Sequence, residues 1–463
     1  MLHSRTACLV AALIALTALY VVEGKLPAFH ALPMMQPDSV SYLEANIART
    51  PAYPLILRVV QRLPGGLARL GPLQYLALLS AGLALAYRFA IVFGQPLLAA
   101  LLAASILLNP LVVSYCFAVL PEAAFMALLM IHLSFVLALA YGWQRTAAVG
   151  AGATAAMLAL TKPSGYAAVA GLGVLAFVHR DEWRRLAWLV IPAAVLLLAF
   201  SAGNYLTRGL FATQAQGGYS RAAYVAHLLD EATPTPYPDL ARRIAARTSA
   251  ARHELAEVPT LEAFYLLGAN EYHVVESIVH DEIMAEIGRR HGITVTDAKM
   301  FPSDTTVARL LNEMAGTLAD AAIRWRPREY GRQIVANVYG LWWLPQVRSR
   351  AGAIAIEQEL HAELAHSPAL DRSPIAFRVL PLPAYVAVRL WLGAVVMCGL
   401  AGLVRVWSRD RLLGTVGYVA VLLHGYFLLI SLAQPGLPRY ALAMWPASML
   451  LVFSTIAVTV KRR

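Results

Sequence analysis

The chain has 463 residues, of which 59% are hydrophobic and only 14% charged, and its mean hydropathy is +0.59. A soluble domain carries nearer a quarter charged residues, so this composition excludes an ordinary soluble fold. The net charge of +11 gathers in short clusters at the ends of apolar runs, where Lys and Arg set orientation, which argues against a nucleic-acid partner. The runs lack the period-two alternation of a membrane barrel, leaving an all-α polytopic membrane protein.

In chain order, His3 and Arg5 precede an apolar run from about Ala7 to Val22. Val22 and Gly24 make a poor cleavage site, so the run reads as a retained span rather than a signal peptide. Further spans are expected near 72–93, 96–114, 120–140, 146–162, 164–179, 186–205, 379–403, 412–431 and 440–459, each close to the length that crosses a bilayer. That makes about ten transmembrane helices. Trp143-Gln144-Arg145, His179 to Arg185, Arg405 to Arg411 and Lys461-Arg462-Arg463 then fall on one side, which the positive-inside rule makes cytoplasmic, together with both termini. Arg58, Arg62 and Arg69 fall on the other side and suggest helices lying on the outer surface.

Three parts are expected: 1–205, a membrane module with the first outside loop; 206–377, a mostly helical extracytoplasmic segment between spans 7 and 8; and 378–463, the last transmembrane helices. The middle segment ends with Trp325, Trp342, Trp343 and several arginines, a composition suited to an interfacial belt. No internal repeat stands out, so the inverted-repeat signature of many transporters is missing. Cys8, Cys116 and Cys398 have no metal-like spacing and form no disulfide framework.

The first outside loop, QPDSVSYLEANIARTPAYPLIL, concentrates chemistry. Pro37 suits the first turn of a helix. A helix running on from it puts Asp38, Tyr42 and Arg49 near one face, at offsets of four and eleven. Asp38 is equally suited to complementing the helix dipole. His273, Glu276 and His280 also share a helical face, at offsets of three and seven, a spacing open to a metal but commoner on a solvated face.

An acid in the Pro37-Asp38-Ser39 context, with Tyr42 and then Arg49-Thr50-Pro51-Ala52-Tyr53-Pro54, resembles the GT-C superfamily of membrane glycosyltransferases. That superfamily includes protein O-mannosyltransferases and the bacterial aminoarabinose transferases of lipid A. Later landmarks match in order: Asn109-Pro110, then Pro121-Glu122 opening the fourth span, Lys162-Pro163 ending the fifth, and Arg439-Tyr440 starting the last. The resemblance covers the chain before about residue 210 and the closing stretch, and leaves 206–377 unassigned. The family's paired acids are not plainly present, because serine follows Asp38.

The resemblance implies a GT-C-like bundle and transfer of a sugar from a polyprenyl-phosphate-linked donor to a lipid, glycan or protein acceptor on the outer face of a bacterial inner membrane. Asp38 would be the general base of an inverting transfer. Tyr42, Arg49, Tyr53, Glu122, Lys162 and Arg439 would bind substrate, with Lys162 and Arg439 at headgroup depth for the phosphate. A divalent cation is compatible with this reaction, though no acid cluster forms an evident cage. A transporter or flippase of a lipid-linked saccharide is the alternative; it should carry ionisable residues deep in its spans.

Overall fold

The computed structural model describes residues 32–36, 38–109, 112–113, 115–180, 186–253, 261–292, 302, 304–343, 347–348, 378–379, 382–408, 410–434 and 438–461. The first expected span and Pro37 lie outside them. The regular structure among the described residues is almost wholly helical; the exceptions are a parallel pair of two-residue strands, Val347–Arg348 and Arg378–Val379, and one isolated bridge between Met34 and Ala118.

Helices α1 (Ser39–Leu43) and α2 (Ala52–Arg62) form the first loop. The membrane module continues with α3 (Leu70–Phe93), α4 (Pro96–Leu107), α5 (Glu122–Tyr141), α6 (Arg145–Thr161), α7 (Tyr166–Val178) and α8 (Ala187–Arg208). Four helices among the described residues are long and apolar enough to cross a membrane: α3 with the short turn before it, α5, α8 and α15 (Arg411–Ala433). Shorter apolar helices accompany them. The protein is a multi-pass membrane protein.

Two expected spans are shorter than their apolar runs. The run at 96–114 ends its helix at Leu107; the chain beyond it makes a 3-10 turn at Tyr115–Phe117 and pairs with Met34. The last run is divided into α16 (Pro438–Ala443) and α17 (Trp445–Lys461). Pro446 explains part of that break, because proline has no amide to donate into a preceding turn.

Packing follows the apolar pattern. α3 lies on α5, α6 on both α5 and α8, α7 on α15, and α15 on α14 (Leu382–Arg405) and α17. A single core of Leu, Ala, Phe and Tyr side chains runs through these helices. One polar tie crosses it: fully buried His132 of α5 meets the Tyr418 hydroxyl of α15 at 2.5 Å through Nε2, and Thr154 of α6 at 3.0 Å through Nδ1.

Residues 217–343 build a second core. α9 (Gly217–Val225), α10 (Pro238–His253), α11 (Leu261–His291) and α12 (Thr305–Trp325) enclose Ile244, Val279, Ile283, Leu311 and Leu318. α9 crosses α12 so closely that a Cβ on Gly218 would lie 2.2 Å from the Asn312 carbonyl, so only glycine fits there. α13 (Pro327–Trp343) leads back to the bundle: Tyr330 donates to the Leu432 carbonyl at 2.7 Å, and the Trp342 ring packs on His424 and Phe427 of α15. Trp342 therefore faces the helices rather than forming part of a lipid-facing belt, whereas Trp325 stays half exposed and donates to Asp230.

Candidate functional site

The first loop is pinned to the end of the bundle where α5 begins and α6 ends. Ser39 donates from Oγ to the Val119 carbonyl at 2.9 Å and accepts from the Gln36 amide, closing the turn into α1. Thr50 donates to the Thr161 carbonyl at 2.9 Å. α1 stops at Leu43, so Arg49 does not share a helical face with Asp38, contrary to the spacing argument. Instead Ala45 adopts a left-handed conformation (φ 51°) and the Asn46 side chain accepts from the Ala48 amide. Those two turns bring Arg49 back to the start of α1, where a five-residue helix alone cannot reach.

Arg49 reaches Asp38 Oδ1 at 2.7 Å, and its Nε donates to the Ser41 hydroxyl at 2.8 Å. Its guanidinium lies 4.7 Å from the Tyr42 ring centre. The second carboxylate oxygen, Oδ2, accepts from Arg439 at 2.9 Å, so Asp38 is held in a two-arginine clamp. Burial alone would raise its pKa, but Arg439 and Arg49 outweigh burial and hold the carboxyl well below the ordinary range. About a quarter of the Asp38 side chain stays exposed (28%).

Arg439 also faces a second acid. Glu122, at the first position of α5 and 2% exposed, pairs with Lys162 at 3.0 Å and lies 3.9 Å from Arg439. The acid expected as a helix-start residue is thus an ion-pair partner as well. Lys162 directly follows α6, and its carbonyl accepts from the Gly165 amide in the Pro163-Ser164-Gly165 turn. That turn folds back so tightly that a Cβ on Gly165 would meet the Leu158 backbone at 2.2 Å. The Lys162 ammonium sits 4.2 Å from the centre of the Tyr440 ring, and the Arg439 guanidinium 5.3 Å from it. Glu122 Oε2 and Arg439 Nε, both buried, make no hydrogen bond.

Five charged residues from four segments of the chain, Asp38 and Arg49 in the first loop, Glu122, Lys162 and Arg439, therefore form one network. Tyr42 is buried beside Arg49. Tyr53 has no exposed surface, stands edge-on to Tyr42 and donates to Gln74 Oε1 at 3.4 Å, which places it behind the network as packing. Ser41, Gln74 and Tyr440 are contributors that residue type and spacing had not singled out as site residues. Ser41 and Tyr440 lay inside the quoted motifs; Gln74, a polar side chain near the start of an apolar run, was the available signal for the third. Glu276 and His280 sit on α11 as expected, with the His273 side chain outside the described residues. No group of three or more His, Cys, Asp or Glu placed to hold a metal occurs among the described residues.

No family model and no curated protein matches the chain. Among solved structures, the chain is similar to ArnT from Cupriavidus metallidurans bound to undecaprenyl phosphate, with 16% identity, 97% of this chain and 77% of that chain covered, and a TM-score of 0.33. The apo form of the same protein gives 17% identity, coverage of 95% and 78%, and a TM-score of 0.32. TM-scores this low do not define a fold, and the functional reading rests on the residues and their geometry.

Proposed function

We propose that the chain is a membrane glycosyltransferase that moves a sugar from a polyprenyl-phosphate-linked donor to an acceptor on the outer face of a bacterial inner membrane, with inversion. The observation that carries this reading is the network itself: two acids and three cations meeting at one end of an apolar helical bundle. Lys162 and Arg439 are where a lipid phosphate at headgroup depth would meet them, and oriented cations stabilise charge that develops in a transition state. The three cations exceed the two acids by one, which matches the single negative charge of a phosphodiester donor better than the larger charge of a pyrophosphate-linked one.

In this reading Asp38 takes the acceptor's proton as the acceptor oxygen bonds to the anomeric carbon. The bond from that carbon to the phosphate oxygen breaks, and its electron pair leaves with the phosphate. Lys162 and Arg439 meet the charge that grows there. Arg49, backed by Tyr42 and Ser41, orients the Asp38 carboxylate, and Glu122 holds Lys162 in place. The segment at 206–377 covers the site and helps choose the acceptor. Among the described residues the mid-helix histidines of the long apolar helices are His132, enclosed by Tyr418 and Thr154 as a tie between helices, and His424, packed on Trp342, which gives a transport pathway little support.

The test is mass spectrometry of lipid and envelope-glycan extracts from cells with wild-type protein, no protein, or Asp38→Asn at equal abundance. Both deficient strains are expected to accumulate one polyprenyl-phosphate sugar and to lack that sugar on one acceptor. An Asp38→Asn strain that matches wild type while the null strain does not would overturn the assignment and favour transport.

A further inference from the structure

Asp38 is poorly set up for the task given to it. Both carboxylate oxygens accept from guanidiniums, Arg49 on one side and Arg439 on the other. A carboxylate so held is a weak base, and each of its best acceptor positions is occupied. The two arginines are not equivalent. Arg49 is fixed by its own loop: Nε donates to Ser41, its guanidinium packs against Tyr42, and Ser41 in turn donates to the Asp38 carbonyl at 2.7 Å. Arg439 is held less completely. Its Nε makes no hydrogen bond, and the acid nearest that atom, Glu122, stands 3.9 Å away with one carboxylate oxygen also unpartnered. Arg439 thus spans Asp38 on one side and the Glu122–Lys162 pair on the other, with unused donor capacity toward the second.

We propose that Arg439 leaves Asp38 for the donor phosphate, so that donor binding is what frees the carboxylate to accept the acceptor's proton. This rests on the glycosyltransferase reading and adds an order of events to it. Before the donor arrives, the second arginine suppresses the base. The phosphate, a stronger partner for a guanidinium fork than half of a shared carboxylate, draws Arg439 toward Lys162. Asp38 then keeps Arg49 alone and gains both basicity and an open oxygen. Transfer follows: the acceptor's O–H proton passes to Asp38, the acceptor oxygen bonds to the anomeric carbon, and the departing phosphate takes the electron pair. When polyprenyl phosphate leaves, Arg439 returns to Asp38, whose proton passes to water. Deprotonation of an acceptor is thereby tied to the presence of a donor.

The groups that face Asp38 are Arg49 and Tyr42 from the first loop, Arg439 and Tyr440 from the last segment, Glu122 from α5 and Lys162 after α6. Among them Arg439 combines direct contact with Asp38 and proximity to the second acid.

The inference is tested on the full chain in liposomes with a hydrophobic carbodiimide, which adds to protonated carboxyl groups. Modification of Asp38 is read by peptide mass spectrometry across the acidic to neutral range, with and without polyprenyl phosphate, and retained lipid is measured in the same samples. Bound polyprenyl phosphate is expected to move the midpoint of Asp38 labelling upward by roughly one unit or more, the usual scale of losing one adjacent arginine. In Arg439→Gln the midpoint is expected to be high without lipid and to move little further with it. In Arg49→Gln it also starts high, but lipid still raises it.

Lipid charge alone would raise the midpoint in Arg439→Gln as much as in wild type, and that result would overturn the proposal. So would bound lipid that leaves the wild-type midpoint unmoved. If Arg439→Gln fails to accumulate, Arg439→Lys is read instead, and a lipid-induced shift as large as in wild type counts against the proposal. Absence of lipid binding to wild-type protein would bring down the glycosyltransferase reading and this inference with it. Binding without a shift brings down this inference alone.

Discussion

Two clusters of acids and arginines among the described residues are built differently. Glu286, on α11 in the segment between the membrane helices, is 1% exposed and bonded by Arg243 at 3.0 Å, Arg290 at 2.6 Å and Arg289. Two of these partners lie three and four residues along the same helix, and the third comes from α10. Both oxygens of Glu286 have partners. The acids at the end of the bundle draw on residues up to 401 positions apart, and they leave Glu122 Oε2 and Arg439 Nε without hydrogen bonds although both are buried. A buried polar group without a partner costs on the order of 1–3 kcal/mol. A saturated network stabilises a fold; one that keeps unused donors and acceptors has capacity for a ligand. That contrast separates the two clusters more clearly than charge or burial does.

The contrast can be broken most decisively at Asp38. Asp38→Asn keeps the shape of the side chain but sets an amide donor against one of the two arginines, so protein abundance should hold while thermal stability in detergent falls by about 1–3 kcal/mol. Sugar transfer should fall by about 10²–10⁴-fold, the scale of a lost general base. A large loss of protein would put Asp38 on the structural side of the comparison.

The Glu122–Lys162 pair is next. Lys162→Met leaves a buried carboxylate without its closest cation and should destabilise by about 3–5 kcal/mol. The double variant Glu122→Gln with Lys162→Met should recover most of that loss in a thermal-unfolding assay while remaining inactive. Recovery of activity as well would show that the pair serves packing alone.

Glu286 sharpens the other side. Burial alone would raise its pKa, but Arg289, Arg290 and Arg243 together lower it to about 2, below its ordinary value of 4.5. The folded value is depressed, so the stabilisation is present above the ordinary carboxylate range and is lost as the pH falls toward and through about 2. Proteolysis of the 217–343 segment should therefore accelerate on acidification across that window. Glu286→Gln should flatten the dependence, cost roughly 1–3 kcal/mol locally and leave transfer nearly unchanged.

The smallest expected effect is at Ser41. Ser41→Ala removes one hydrogen bond from Arg49, worth about 1 kcal/mol, and should lower transfer by roughly fivefold without changing donor affinity. An altered donor affinity would mean that Arg49, rather than Arg439, meets the phosphate.

Much of the architecture was legible along the chain because apolar run length is a local property. Seven of the nine expected spans after the first fall on helices that match their runs approximately, and the residues of the network were named from first-loop spacing (Asp38, Arg49) or from the family resemblance (Glu122, Lys162, Arg439). The end of α4 at Leu107 was missed because the run continues to about residue 114 without a charge. Asn109-Pro110 was the local signal for that end, because a proline disfavours helix in the residue before it; the pairing of Met34 with Ala118 further on is a contact that no local pattern reveals. The path of Arg49 was misread for a related reason: helical offsets assume a continuing helix, while the turn at Ala45 depends on contacts that hold the loop against the bundle.

The sequence by itself determined the class of protein, the approximate positions of its helices and the short roster of chemically unusual residues near their ends. The class and the helix positions follow from composition and run length, which act over a few residues at a time, and part of the roster from the family resemblance. Only the tertiary structure decided that Asp38, Arg49, Glu122, Lys162 and Arg439 meet, and that Arg439 stands between Asp38 and a second acid, Glu122. Ion pairs reach only a few ångströms, and whether charges far apart in the chain come that close depends on how whole helices pack, which no periodicity along the chain records.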